Sequence, residues 1–147
     1  MRSHDYTRRV ILVYWLPAIL WAAVLLSASG DAFSSTHSAD WIGEIIIRFV
    51  GHPLPPRQFN LLHFLLRKVA HLTAYFIAGA LFFRAVRAGA AGWRRRWAVT
   101  AVALAAVVAT LDEWHQVFVP SRGGTPWDVL IDLAGAAAAQ LVARFRQ

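Results

Sequence analysis

The chain has 147 residues, 58% of them hydrophobic, and 15 Lys plus Arg against 8 Asp plus Glu give a formal charge of +7. That apolar content argues against a lone water-soluble domain. The absence of cysteine excludes disulfide frameworks, cysteine-based zinc sites and a thiol nucleophile.

Val10 to Ser29 runs twenty residues without a formal charge, about the length that crosses a hydrocarbon core of roughly 30 Å at 1.5 Å per residue. It predicts a first membrane helix over about 10–29. Pro17 predicts a kink, tolerable in a bilayer where neighbours can satisfy the freed carbonyl. A cleaved signal peptide is the alternative, since Arg8 and Arg9 precede the apolar run and Ser27-Ala28-Ser29 resembles a small-residue cleavage site. Residues 30–60, with Pro53, Pro55 and Pro56, read as a loop. Inside it Ile42, Ile45, Ile46 and Phe49 recur at helical spacing. They suggest a short helix over Trp41 to Val50, lying on the membrane surface or capping the helix ends.

A second helix is expected over about 61–86, although its uncharged stretch covers only Val69 to Phe83. Residues 89–96 form a basic turn, a third helix follows over about 97–113, and an Ala-rich fourth over about 127–143 contains Asp128 and Asp132. The expected fold is therefore all-α, with four transmembrane helices in two hairpins and a short interfacial helix in the first extracytoplasmic loop, all in one domain spanning 1–147. Small residues at four-residue spacing (Ala70, Ala74 and Ala78; Ala101, Ala105 and Ala109; Gly135 and Ala139) let such helices approach closely.

Lys and Arg fall unevenly across this topology. Residues 1–9, 84–96 and 144–146 hold three, five and two of them, ten in all, while the opposite side holds five together with seven of the eight acids. The positive-inside rule then places both termini of a multi-pass membrane protein in the cytoplasm. The basic balance is a topology signal, and its split among three short segments argues against a nucleic-acid partner. Trp93 and Trp97 at one boundary, and Trp41, Trp114 and Trp127 at the other, fit an aromatic belt.

Polar residues interrupt the helices at one expected depth, near the outer interface. Lys68, His71 and Tyr75 share one helical face, with Arg67 beside them and His63 a turn away. Asp112 and Gln116 are stacked next to Glu113, and Asp128 and Asp132 repeat that spacing. Charge at bilayer depth costs at least ~2.5 kcal/mol, so these groups should turn inward and pair. Two readings stay open: an ion-pair lattice that locks three helices together, or an outward-facing polar pocket for a ligand.

Lys68-x-x-His71-x-x-x-Tyr75, then Asp112-Glu113-x-x-Gln116-x-Phe118-x-Pro120-x-Arg122, then Asp128-x-x-x-Asp132-x-x-Gly135 resemble the motifs of the VanZ-like family. Trp21 followed by Ser27-Ala28-Ser29 resembles its weaker first motif, so the likeness covers nearly the whole chain. Arg67 stands where that family often has an acid, and Asp132 where it often has Asn. The resemblance implies a small bacterial membrane protein related to one that lowers susceptibility to the glycopeptide teicoplanin. It carries over Lys68, His71, Tyr75, Asp112, Glu113, Gln116, Arg122, Asp128 and Asp132 as a polar set without assigned catalytic roles.

The leading functional expectation is a non-enzymatic envelope role in which the cluster binds a lipid-linked cell-wall precursor or an amphiphilic antibiotic, in a monomer or a homo-oligomer. An intramembrane enzyme acting on a lipid phosphate is the alternative, with Glu113 or Asp112 as base, His71 as proton carrier and Lys68 and Arg122 as phosphate clamps. No nucleophile elbow, P-loop or H-E-x-x-H is present. No cofactor is implied, and no metal is expected: the carboxylates with His71 or His115 would suit one, but three nearby basic residues oppose it. His115 is expected to be solvated. A transport path looks poor, because only Thr100 and Gln140 continue the polar set inward.

Overall fold

The structure is a computed structural model and describes residues 3–30, 35–120 and 124–146. Five helices form the described part: α1 (residues 3–28), α2 (Ser35–Val50), α3 (Pro56–Arg87), α4 (Arg95–Val117) and α5 (Pro126–Phe145). Three stretches, Asp5–Ala28, Pro56–Arg87 and Arg95–Val117, are long and apolar enough to cross a membrane.

The first helix changes pitch where the sequence predicts a kink. Val10–Trp15 is π-helical, between α-helical Ser3–Arg9 and Leu16–Ala28, and Pro17 sits in the first turn of the last segment. Proline offers no N–H to the carbonyl four residues back, and a wider turn is one way a helix absorbs that loss.

Two boundaries differ from the sequence expectation. The surface helix α2 begins at Ser35 rather than Trp41, and α3 begins at Pro56 rather than near residue 61. Proline is well suited to a first helical turn, where its missing N–H is not needed. Arg57, Arg67 and Lys68 end an uncharged run without ending a helix, so the hydrophobic stretch understates α3. Lys68, His71 and Tyr75 consequently lie in the middle of that helix, and only the α4 and α5 members of the polar set lie near helix ends.

Helices α3, α4 and α5 form the core, with α1 packed on α3 and α4, whereas α2 packs on α3 alone among the described elements. Contacts of residue 68 with 128, 71 with 132 and 79 with 140 make α3 and α5 parallel. Ala101, Ala105 and Ala109 are fully buried, as their spacing predicts, but Ala70 is exposed. The closest approach of α3 to α5 is made by two glycines. A Cβ on Gly79 would come within 2.8 Å of the Ala136 backbone, and one on Gly135 would collide with the Leu72 carbonyl oxygen. Buried Gln140 adds a lock there, its Nε2 donating to the carbonyls of Gly79 at 3.0 Å and Ala136 at 3.2 Å.

The opposite end of the bundle is basic. Ala88 and Gly89 take left-handed conformations (φ 47° and 83°) to close α3, and Gly89 leaves room for Tyr14, whose hydroxyl would lie 2.5 Å from a Cβ there. Arginines lie over aromatic rings: Arg84 over Tyr14 at 5.6 Å, Arg94 over Trp97 at 4.9 Å and Arg144 over Trp93 at 5.4 Å.

Candidate functional site

The polar cluster is built by three helices and tethered by a fourth. On α3, positions 68, 71 and 75 follow one another at roughly 100° per residue and turn toward α5 and α4. Lys68 Nζ donates to Asp128 Oδ1, and His71 Nδ1 lies 3.1 Å from Asp132 Oδ1. On α4, Gln116 Nε2 donates to Asp112 Oδ2 at 3.1 Å, one turn apart as the sequence spacing requires. Tyr75, Asp112, Glu113, Gln116, Asp128 and Asp132 are all buried, Asp132 completely.

Burial of this kind demands compensation, since an unpaired charge in an apolar setting costs several kcal/mol, of order 3 or more. Much of it is visible. Glu113 Oε2 accepts from the backbone N–H of Thr125 at 2.7 Å, and Thr125 caps α5 by accepting from Asp128 N at 3.3 Å. Tyr75 Oη, Glu113 Oε1 and Asp132 Oδ2 are among the buried atoms that keep no hydrogen-bond partner among the described residues. Tyr75 shares the electrostatic neighbourhood of Asp112, Asp132 and Glu113.

The structure thus brings together eight of the nine residues singled out by sequence: Lys68, His71, Tyr75, Asp112, Glu113, Gln116, Asp128 and Asp132. The ninth, Arg122, lies outside the described residues. Six of the eight fall into three linked pairs, Lys68 with Asp128, His71 with Asp132 and Asp112 with Gln116, while Glu113 is held by Thr125 and Tyr75 stands beside them. His115 is exposed, as expected, yet its Nδ1 also lies 3.2 Å from Ser29 Oγ. Thr100 is exposed and donates to its own helix at Arg96 O, 2.9 Å away, so it contributes nothing to an inward path.

Beside the cluster lies a cavity of about 450 Å³ between α1, α2, α3 and α4, a size typical of small-molecule sites. Leu25, Ala28, Trp41, Ile42, Leu66, Ala70 and Ala74 form its apolar walls. Its polar lining comes from Arg67, His71, Tyr75, Asp112 and Gln116, with Ser29 and Ser38. The cavity therefore has an apolar part and a polar part, and five members or neighbours of the cluster supply the latter.

The first-motif residues Trp21 and Ser29 prove to be tethers of the site, and Ser38 joins them with no signal in the sequence. Ser29 is buried and its Oγ donates to the Asp112 carbonyl at 3.1 Å, while Trp21 Nε1 donates to the Ala74 carbonyl at 2.9 Å, so the two tie α1 to α4 and α3. Ser38 on α2 reaches His63 Nε2 at 3.0 Å and sets the helix beside the cavity. Thr125 did carry a signal: Thr-Pro-Trp-Asp places a cap residue, an N1 proline and an N3 acid in order. Gly124 carried another in the glycine pair, since a Cβ there would collide with the Glu113 carbonyl oxygen.

No match was found among curated proteins or among solved structures. The VanZ/LLP1 family model matches residues 13–147, a span that includes the whole polar cluster, the cavity walls and the Trp21 and Ser29 tethers. The chain therefore belongs to the VanZ-like family, and its three span-length apolar helices make it a membrane protein.

Proposed function

We propose that this protein binds an amphiphilic ligand, apolar part against Leu25, Trp41, Ile42 and Leu66 and polar head against Arg67, His71, Tyr75 and Gln116, in a non-enzymatic cell-envelope role. The observation that carries the reading is the cavity itself, whose apolar walls meet a polar lining where buried Tyr75 Oη has no hydrogen-bond partner among the described residues. Such a group is costly unless a ligand or water satisfies it. A lipid-linked cell-wall precursor and an amphiphilic glycopeptide such as teicoplanin both have the required polarity split, and family membership supports an envelope setting.

The topology proposed with it has four spans in two hairpins, both termini cytoplasmic in a bacterial inner membrane, and the cavity near the outer face. Twenty-residue α5 is about 30 Å long at 1.5 Å per residue, enough for a span. Because the chain has no cysteine, single cysteines report sidedness directly. Ala91→Cys should react with an impermeant thiol reagent only from the cytoplasm and His52→Cys only from outside; the reverse pattern would invert the topology.

Ligand binding is tested by native mass spectrometry of protein extracted in mild detergent, comparing wild type with Ala70→Trp. Ala70 lines the cavity but is exposed, so tryptophan there fills the space without disturbing the helix packing. A lipid or polyprenyl phosphate carried by wild type and lost from the variant supports the reading. Equal lipid on both overturns it.

A second reading is favoured by the α3–α5 pairs: the cluster is an ion-pair lattice and nothing more. In that case the swap Lys68→Asp with Asp128→Lys should restore the protein level that either single change depresses, and Ala70→Trp should be silent in every assay.

A further inference from the structure

We infer that His71, Glu113 and Asp132 form a binding site for a divalent first-row transition-metal ion, one per chain. One ligand atom from each residue lies within 4.8 Å of the other two. Metal–ligand bonds to imidazole nitrogen and carboxylate oxygen are about 2.0–2.2 Å, so two ligands of one ion stand about 3.0–3.4 Å apart at adjacent positions and about 4.2 Å apart at opposite ones. The 3.1 Å between His71 Nδ1 and Asp132 Oδ1 already matches an adjacent pair.

Proximity of carboxylates is not by itself a site; the orphaned acceptors make it one. Asp132 has no exposed surface and Glu113 is 6% exposed, yet Asp132 Oδ2 and Glu113 Oε1 have no hydrogen-bond partner among the described residues. A buried carboxylate oxygen without a donor or cation is unfavourable. The basic side chain nearest in sequence to His71, Lys68, is engaged by Asp128, and Arg67 lines the neighbouring cavity. The expectation that nearby basic residues exclude a metal therefore loses its two described members. A neutral imidazole with two carboxylates carries a charge of −2, which one divalent ion balances. The imidazole favours zinc, and two carboxylates also admit manganese, over calcium or magnesium. Thr125 N–H to Glu113 Oε2 acts as the outer contact that orients a ligand.

The test uses untagged full-length protein in detergent, stripped with chelator and dialysed against Zn²⁺ or Mn²⁺ alone, with bound metal counted per chain. One equivalent is expected in wild type, with affinity at least about tenfold lower in Asp132→Asn and in His71→Gln. Arg144→Gln, at the opposite end of the bundle over the Trp93 ring, should keep wild-type affinity. Binding that is absent in wild type, or that survives equally in all three variants, overturns the inference. Should a variant fail to fold, pulsed electron paramagnetic resonance of Mn²⁺ on wild type decides: coupling to an imidazole nitrogen is expected, and its absence refutes the site. Metal binding should persist in Ala70→Trp. Loss of lipid with metal retained, or the converse, separates this site from the amphiphile reading.

Discussion

The two ends of the three-helix core handle charge in opposite ways. At one end Arg84, Arg94, Arg95, Arg96 and Arg144 are exposed, and four of them, all but Arg95, lie over the rings of Tyr14, Trp97 and Trp93. At the other, Asp112, Glu113, Asp128 and Asp132 are buried, and Lys68 and His71 reach across from α3 to meet two of them. Guanidinium groups are weakly hydrated, stack on aromatic faces and keep their charge in water. Buried carboxylates have no such freedom and tie the helices that bury them to one arrangement. Under the proposed topology charge at the arginine end sets sidedness, whereas charge at the acidic end ties α3 to α5.

The contrast is broken or upheld most sharply at Asp132. Asp132→Ala removes a fully buried carboxylate and leaves His71 without its partner, and should cost about 3 kcal/mol, read as a large fall in thermal midpoint in detergent. A cost no greater than that of an arginine change would show that the acidic end is not a structural knot.

Next in size are the glycines that hold α3 against α5. Gly79→Ala and Gly135→Ala each push a Cβ into backbone that cannot move away, and overpacking of that kind costs about 1–3 kcal/mol. The same alanine substitution at Gly92, where a Cβ would meet nothing within 4 Å, bears only the strain of its positive φ. A measured order with Gly92 most costly would contradict the packing described.

These positions also mark how far the sequence could be read. Face-sharing within one helix was legible, because 100° per residue fixes it: Asp112 with Gln116, and Lys68 with His71, needed no tertiary information. The choice of partners was not. Lys68 pairs with Asp128 and His71 with Asp132 because α3 and α5 run parallel at a register set by Gly79 and Gly135, and Gly79 has no charge or motif to draw attention to it. The cavity was equally hidden, since Trp41 and Ile42 meet Leu66 and Ala70 only once α2 lies along the front half of α3. The start of α3 was misjudged because Pro53, Pro55 and Pro56 were read as a loop reaching residue 60, although Pro56 suits a first helical turn. That the arginines at the basic end are exposed needed least tertiary information, since exposed charge depends hardly on packing.

Gln140 tests the middle of the molecule, between the two ends. Its Nε2 donates to carbonyls on both α3 and α5, and Gln140→Leu should cost about 1 kcal/mol, the range for interhelical hydrogen bonds in membranes. A larger loss would mean that α5 depends on this lock more than on the acidic end.

The smallest effect belongs to the arginine end. Arg144 lies 5.4 Å from the Trp93 ring and is exposed, so Arg144→Gln should cost no more than about 0.5–1 kcal/mol, as exposed cation–π contacts do. Its influence should appear in sidedness instead, because the positive-inside rule counts residues rather than contacts. Replacing Arg94, Arg95 and Arg96 together with Gln should leave the thermal midpoint nearly unchanged while producing chains in which Ala91→Cys is labelled from outside. If that triple change unfolds the protein but leaves every chain in its original orientation, the arginines are part of the packing and the contrast between the two ends collapses.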